Sequence, residues 1–231
     1  MYIPSTFAEC DLPTLHAFVE ANPLATLVTN SPADGLFATH LPLVLDRGTG
    51  SLGTLVGHLA RANPHARHVS AGPMPCLAIF TGPQAYITPE WYLTKQQTGR
   101  VVPTWNYVAV HASGELRLRD DPAFLREHLE ALTRQHEANR APGWQVSDAP
   151  ADYIERQMKA IVGVEIAIDR LEGKWKMSQN RPAPDIEGVI QGLEASGTAQ
   201  NQAVAAIVRA RRPMERGAHS DDSPSKPPNE R

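Results

Sequence analysis

Hydrophobic and polar positions alternate in short runs over most of the chain. Residues 24–29, 36–45, 54–58, 77–81, 85–88, 104–111 and 115–119 are rich in Leu, Val, Ile, Thr and aromatics, and Gly, Pro, Asn and Ser separate them. Such runs read as strands, because branched and aromatic side chains pack well on a pleated, half-buried surface. The cleanest alternation is at 161–169, where Val162, Val164, Ile166 and Ile168 fall on one side. Closely spaced short strands predict an antiparallel barrel or sandwich rather than a βαβ series. Ser113-Gly114 reads as a hairpin turn between two of them.

Helical spacing interrupts this text in a few places. Asp11 can cap a helix in which Leu12, Leu15, Phe18 and Val19 share a face, and Asn22-Pro23 stops it. Asp121-Pro122 opens another, with Phe124, Leu125, Leu129 and Leu132 as its buried stripe. A polar loop at 139–150 and a short helix at 153–158 lead into the strand at 161–169. Two more helices are expected at 185–194 and 200–211. From Pro213 onward the chain is polar and proline-rich, with almost nothing to bury, and reads as a disordered tail. The expected division is a barrel domain at 1–181, a helical extension at 182–212 and the tail at 213–231.

Composition narrows the possibilities. The chain of 231 residues is 42% hydrophobic and carries a net charge of −3. It can bury a sizeable core, and no electrostatic case exists for non-specific DNA binding. No stretch approaches the roughly 20 apolar residues of a membrane helix, and the start lacks the pattern of a signal peptide. Cys10 and Cys76 are the only cysteines, too few for a disulfide framework. A cytoplasmic protein is expected. His65 and His68 are three apart but have no third ligand at good spacing, so no metal site is expected. No nucleophile elbow or comparable motif marks a catalytic residue.

The candidate chemistry lies at strand ends and in loops, in ATHLPL, GHLARANP, YITPEWY, VPTWNY and KWKMSQNR. These segments combine cations, hydroxyls, amides and large aromatics, which suits a phosphorylated heteroaromatic ligand. Arg61, Lys176 and Arg181 offer charge, and Thr39 and Ser178 offer hydroxyls for a phosphate. Trp91, Tyr92, Trp105 and Tyr107 can wall a flat ring. Asn63, Asn106 and Gln179 can pair with its polar edge. His40 and His58 stand in the same company. No glycine-rich phosphate loop exists, so side chains must build any phosphate site.

These segments, with the opening MYIPSTF and with AIFTGPQAYITPEWY, VPTWNYVAVHASG and AIVG in the same order, resemble the PaiB-type FMN-binding negative transcriptional regulators. Thr88 stands where that family often has serine, and the tail after Arg212 has no counterpart. The resemblance implies a mainly β (α+β) fold, a split β-barrel with peripheral helices, and a homodimer with FMN near the subunit interface. On it, the FMN contacts are Thr39, His40, His58, Arg61, Asn63, Thr88, Trp91, Tyr92, Trp105, Asn106, Lys176, Ser178, Gln179 and Arg181. It also implies a regulatory role with DNA or a protein as partner. The chain itself shows no helix-turn-helix and no basic face. Two other readings remain open: an FMN-dependent oxidoreductase acting on a small molecule, and a haem-binding split barrel with His40 or His58 as ligand.

Overall fold

The computed structural model describes residues 1–32, 35–69 and 72–213. In chain order the elements are β1 (Ala8–Glu9), α1 (Leu12–Ala21), β2 (Leu24–Ser31), β3 (Gly35–Pro42), β4 (Val44–Asp46), β5 (Thr54–Ala60), α2 (Pro64–Val69) and β6 (Met74–Ile87). After a 3-10 turn at Pro89–Trp91 come α3 (Leu93–Thr98), β7 (Thr104–Arg119), α4 (Pro122–Glu137), α5 (Ala151–Lys159), β8 (Ile161–Lys176), α6 (Ala183–Ala195) and α7 (Ala199–Ala210). The strands form one antiparallel sheet in the order β3-β2-β6-β7-β8-β5-β4, with β1 paired to β8. It is the mainly β, α+β architecture of a split barrel.

The expected caps form. Asp11 accepts a hydrogen bond from the Thr14 backbone at 2.9 Å, and Asp121 accepts from that of Ala123, ahead of Pro122 in the first turn of α4. The alternation in β8 places Val162, Val164, Ile166 and Ile168 in the core, opposite the inward Ala25, Leu27, Ala78, Phe80, Leu55 and Leu116. On α4 the deepest residues are Leu125 and His128, while Phe124, Leu129 and Leu132 are half-buried.

Four sequence readings need correction. No hairpin turn occurs at Ser113-Gly114: β7 runs straight through, and the register against β8 shifts there. Gly114 marks a bulge, where an added Cβ would lie 2.0 Å from the Ala167 carbonyl oxygen. The runs at 77–81 and 85–88 are likewise one strand, β6, with a register shift between Thr81 and Gln84. Conversely, the run at 36–45 divides at Leu43 into β3 and β4. The strand begun at Ile161 extends to Lys176, because Gly173 and Trp175 carry its pairing with β7 onward.

Helices α6 and α7 pack onto the barrel. Ile186, Val189, Ile190, Leu193, Val204, Ala205 and Val208 belong to the same buried cluster as the strand residues. Of the expected tail, only Pro213 falls within the described residues.

Candidate functional site

One side of each strand faces the core, so the other side forms the outer surface of the sheet. Following the register outward, Tyr86 pairs with Trp105, Gln84 with Tyr107, and Tyr107 with Lys176; Ala109 pairs with Lys174. Aromatic and cationic side chains therefore share one patch at the adjoining ends of β6, β7 and β8. Trp105 and Tyr86 meet edge to face at 6.0 Å, and both are about half exposed. The Trp105 indole donates to Gln84 Oε1 at 3.1 Å.

Lys176 reaches across this patch. Its Nζ donates to Thr104 Oγ1 and to the Trp105 carbonyl, the latter at 2.7 Å. Lys174, almost buried, donates to the Tyr2 carbonyl at 3.1 Å and lies 5.2 Å from the Tyr107 ring centroid. Among the described residues, no carboxylate forms an ion pair with Lys174, Lys176 or Arg181. Burial, then the neighbouring charges of Lys174 and Arg181, push the Lys176 ammonium below its ordinary value. Cations held together without a counter-charge are electrostatically poised to receive an anion.

The chain leaves β8 through a shaped turn. Ser178 has φ of 65°, unusual for a residue with a side chain. It is held there by Asn106: the Asn106 amide donates to Ser178 Oγ at 2.9 Å, and both residues are buried. Gln179 folds back, donating to the Trp175 carbonyl at 2.6 Å and accepting from the Met177 backbone at 2.7 Å. The Arg181 backbone N–H closes the turn on the Ser178 carbonyl at 2.9 Å. The Arg181 guanidinium consequently lies over the Tyr92 ring, 4.5 Å from its centroid. Asn106, Ser178 and Gln179 thus spend their polar groups within the turn, and what the turn presents is Arg181. Thr88 accepts from the Glu90 backbone at 3.3 Å, capping the 3-10 turn that carries Trp91 and Tyr92.

The remaining candidates lie elsewhere. Thr39 accepts from Asn63 at 3.2 Å and contacts His65 Nδ1 at 2.8 Å, while Thr29 meets His65 Nε2 at 2.7 Å. Burial, with help from the nearby charge of His68, lowers the His65 pKa to about 4. His40 is on the opposite face of β3 and pairs with Thr26 Oγ1 at 3.0 Å. His58 contacts His128 Nε2 at 3.0 Å beneath α4, and burial lowers both pKa values, that of His128 to about 4. Arg61 forms a bidentate pair with Asp120 and lines a cleft of about 490 Å³ with Leu125 and Met158. The structure therefore groups Trp105, Lys176, Arg181, Tyr92 and their supports. It keeps Thr39 with Asn63, His40, His58 and Arg61 in four other settings.

Lys174, Tyr86, Gln84 and Thr104 join the patch without having been singled out from sequence. A signal for Lys174 existed: Lys-Trp-Lys in a strand puts both lysines on one face. Among the described residues no group of His, Cys, Asp or Glu is arranged to hold a metal, and no helix is long and apolar enough to cross a membrane. Burial pushes the Cys76 thiol up to about 12, so it is not a thiolate at neutral pH.

The chain is similar to proteins from fungi and bacteria. A protein from Emericella nidulans, known only as uncharacterized protein AN0679, is 39% identical, over 93% of this chain and 98% of its own length. The protease synthase and sporulation protein PAI 2 of Bacillus subtilis is 32% identical, over 84% of this chain and 89% of its own. In fold, the chain resembles the FAD and heme binding protein from Mycobacterium smegmatis, with a TM-score of 0.55 at 17% identity over 80% of each chain. It also resembles the flavocytochrome Anf3 of Azotobacter vinelandii, with a TM-score of 0.53 at 15% identity over 73% of this chain and 69% of that one. An unpaired cationic patch beside exposed aromatics fits a phosphorylated flavin, and residues 1–170 match the family described as "Putative FMN-binding domain"; the chain belongs to that family, whose cofactor is FMN.

Proposed function

We propose that the protein is an FMN-binding regulator whose flavin lies on the outer face of the sheet, at the ends of β7 and β8. The observation that carries this reading is the patch of Lys174, Lys176 and Arg181, without carboxylate partners, next to Trp105 and Tyr107. The lysines and Arg181 would hold the phosphate through charge-assisted bonds, and the half-exposed aromatics would flank the ring. FMN supplies redox chemistry that no side chain here offers; the protein supplies position and electrostatics.

The same face supports a homodimer. Leu24 and Leu36 are 64% and 77% exposed. By register, they lie on the outward side with Val28, Ala38, Leu77 and Ile79. This apolar area borders the cationic patch through the β6–β7 pairing. A second copy covering it would enclose a ligand that one chain leaves open. The regulatory role draws on the likeness to the Bacillus sporulation protein. With a net charge of −3, a protein partner fits better than direct DNA contact.

Titration with FMN, riboflavin and FAD tests the site: FMN should bind at least tenfold more tightly than riboflavin, which has no phosphate. Equal affinity would remove the phosphate from the patch. Light scattering of the FMN-loaded protein at micromolar concentration tests the dimer, and a monomer would refute it. Rapid reduction of the bound flavin by NADH or NADPH, followed by turnover of an added acceptor, would favour an oxidoreductase over a regulator.

A further inference from the structure

Helix α6 begins two residues after Arg181 and lies beyond the residues matched by the family domain. It touches the segment from Thr88 to Thr98 at three points. Trp91 lies across α6 where Gly188 and Gly192 leave room: an added Cβ at Gly188 would be 1.9 Å from the Trp91 carbonyl oxygen, and one at Gly192 would be 2.3 Å from its ring. Asp185, fully buried in the first turn of α6, accepts from the Thr94 backbone N–H at 2.9 Å, at the start of α3. Between these contacts is Tyr92, the ring under Arg181. Tyr92 is 1% exposed, and its hydroxyl and Asp185 Oδ2 are buried without hydrogen-bond partners. A buried carboxylate with a single partner is costly for a fold to keep. Asp185 ties the first turn of α6 to the first turn of α3, next to Tyr92, and so holds the two helices in register with each other.

From these contacts we infer that Asp185 and the Gly188–Gly192 groove are the positioning elements for Arg181, setting through Trp91 and Tyr92 where its guanidinium meets the FMN phosphate. The inference rests on the FMN reading above. Arg181 cannot set its own direction: the turn from Ser178 delivers it, and the Tyr92 ring is the surface on which it comes to rest. The position of that ring is decided by α6. If the ring shifts, the guanidinium loses its alignment to a phosphate while the aromatic walls at Trp105 and Tyr86, on other strands, stay in place. Damage at α6 should therefore affect the phosphate and spare the ring.

The experiment compares FMN and riboflavin affinities of the full chain by flavin fluorescence, for wild type, R181A, D185A, D185N and G192A. Asn keeps an acceptor for the Thr94 N–H, whereas Ala does not. D185A and G192A should lose about tenfold in FMN affinity while riboflavin changes by less than about threefold. D185N should stay within about threefold of wild type for both ligands. Equal losses of FMN and riboflavin in D185A and G192A, or no loss in either, would overturn the inference. R181A separates it from the underlying reading. If R181A binds FMN as wild type does, Arg181 is not at the phosphate and both ideas fall. If R181A loses FMN selectively while D185A and G192A do not, only the positioning role falls.

Discussion

Replacing Lys176 with methionine tests the electrostatics of the site most directly. Lys174 and Lys176 are two residues apart on one face of β8, so their Cα atoms are separated by about 6.6 Å. Taking the two ammonium groups, which bond to different carbonyls, to be about as far apart as the Cα atoms, the charges repel by about 0.6 kcal/mol in water and about 2.5 kcal/mol at an effective dielectric constant near 20. Removing Lys176 relieves this repulsion and forfeits its bonds to Thr104 and the Trp105 carbonyl, worth about 1 kcal/mol each. The two effects nearly offset, so the FMN-free variant should unfold within about 1 kcal/mol of wild type. The FMN complex should instead lose a charge-assisted bond of about 1.5–3 kcal/mol, which is roughly a tenfold to hundredfold weaker affinity. Thermal melts with and without saturating FMN read both quantities, and a fluorescence titration in low and high salt shows how much of the loss is screened. The pH dependence has a definite sign. Lys176 is held below its ordinary value in the free protein, and a bound anion favours its charged form. FMN affinity should therefore decline as pH rises through that lowered value, with proton uptake on binding. K176M should show no such decline. Equal destabilisation with and without FMN, or a pH profile unchanged in K176M, would refute the reasoning.

Acid should destabilise the fold through its buried histidines. His65 and His128, both lowered to about 4, contribute stability that is fully present above the unfolded value near 6.5 and is lost as pH falls toward 4. Urea titrations across that range should show the midpoint falling, with a shallower fall in H128Q. Gly114→Ala places a Cβ 2.0 Å from the Ala167 carbonyl oxygen and should cost about 3 kcal/mol or more; an unchanged melting temperature would mean the bulge yields freely. Ile166→Ala, in the centre of the core, should lower stability by about 2–5 kcal/mol without changing FMN selectivity over riboflavin.

Periodicity alone determined which runs are strands, which positions of β8 face inward and where α1 and α4 begin, because alternation and capping are local properties of the chain. It could not determine strand continuity. Gly114 and the Gly82-Pro83 pair carry the composition of turns, yet both lie in bulges of long strands, since pairing across the sheet overrides local preference. The cations of the proposed phosphate site, Lys176 and Arg181, stand out in the sequence by residue type. Their assembly does not. Whether Arg61 meets Asp120 or a ligand, whether Asn106 holds a turn or a ring, and whether Lys174 joins Lys176 beside Trp105 depend on register and on contacts between residues far apart in sequence. Nor does any local pattern tell that Gly188, Gly192 and Asp185 receive Trp91 and Thr94. A side chain's role follows from its neighbours in space, and only the closing of the sheet and the packing of α6 against it chose those neighbours.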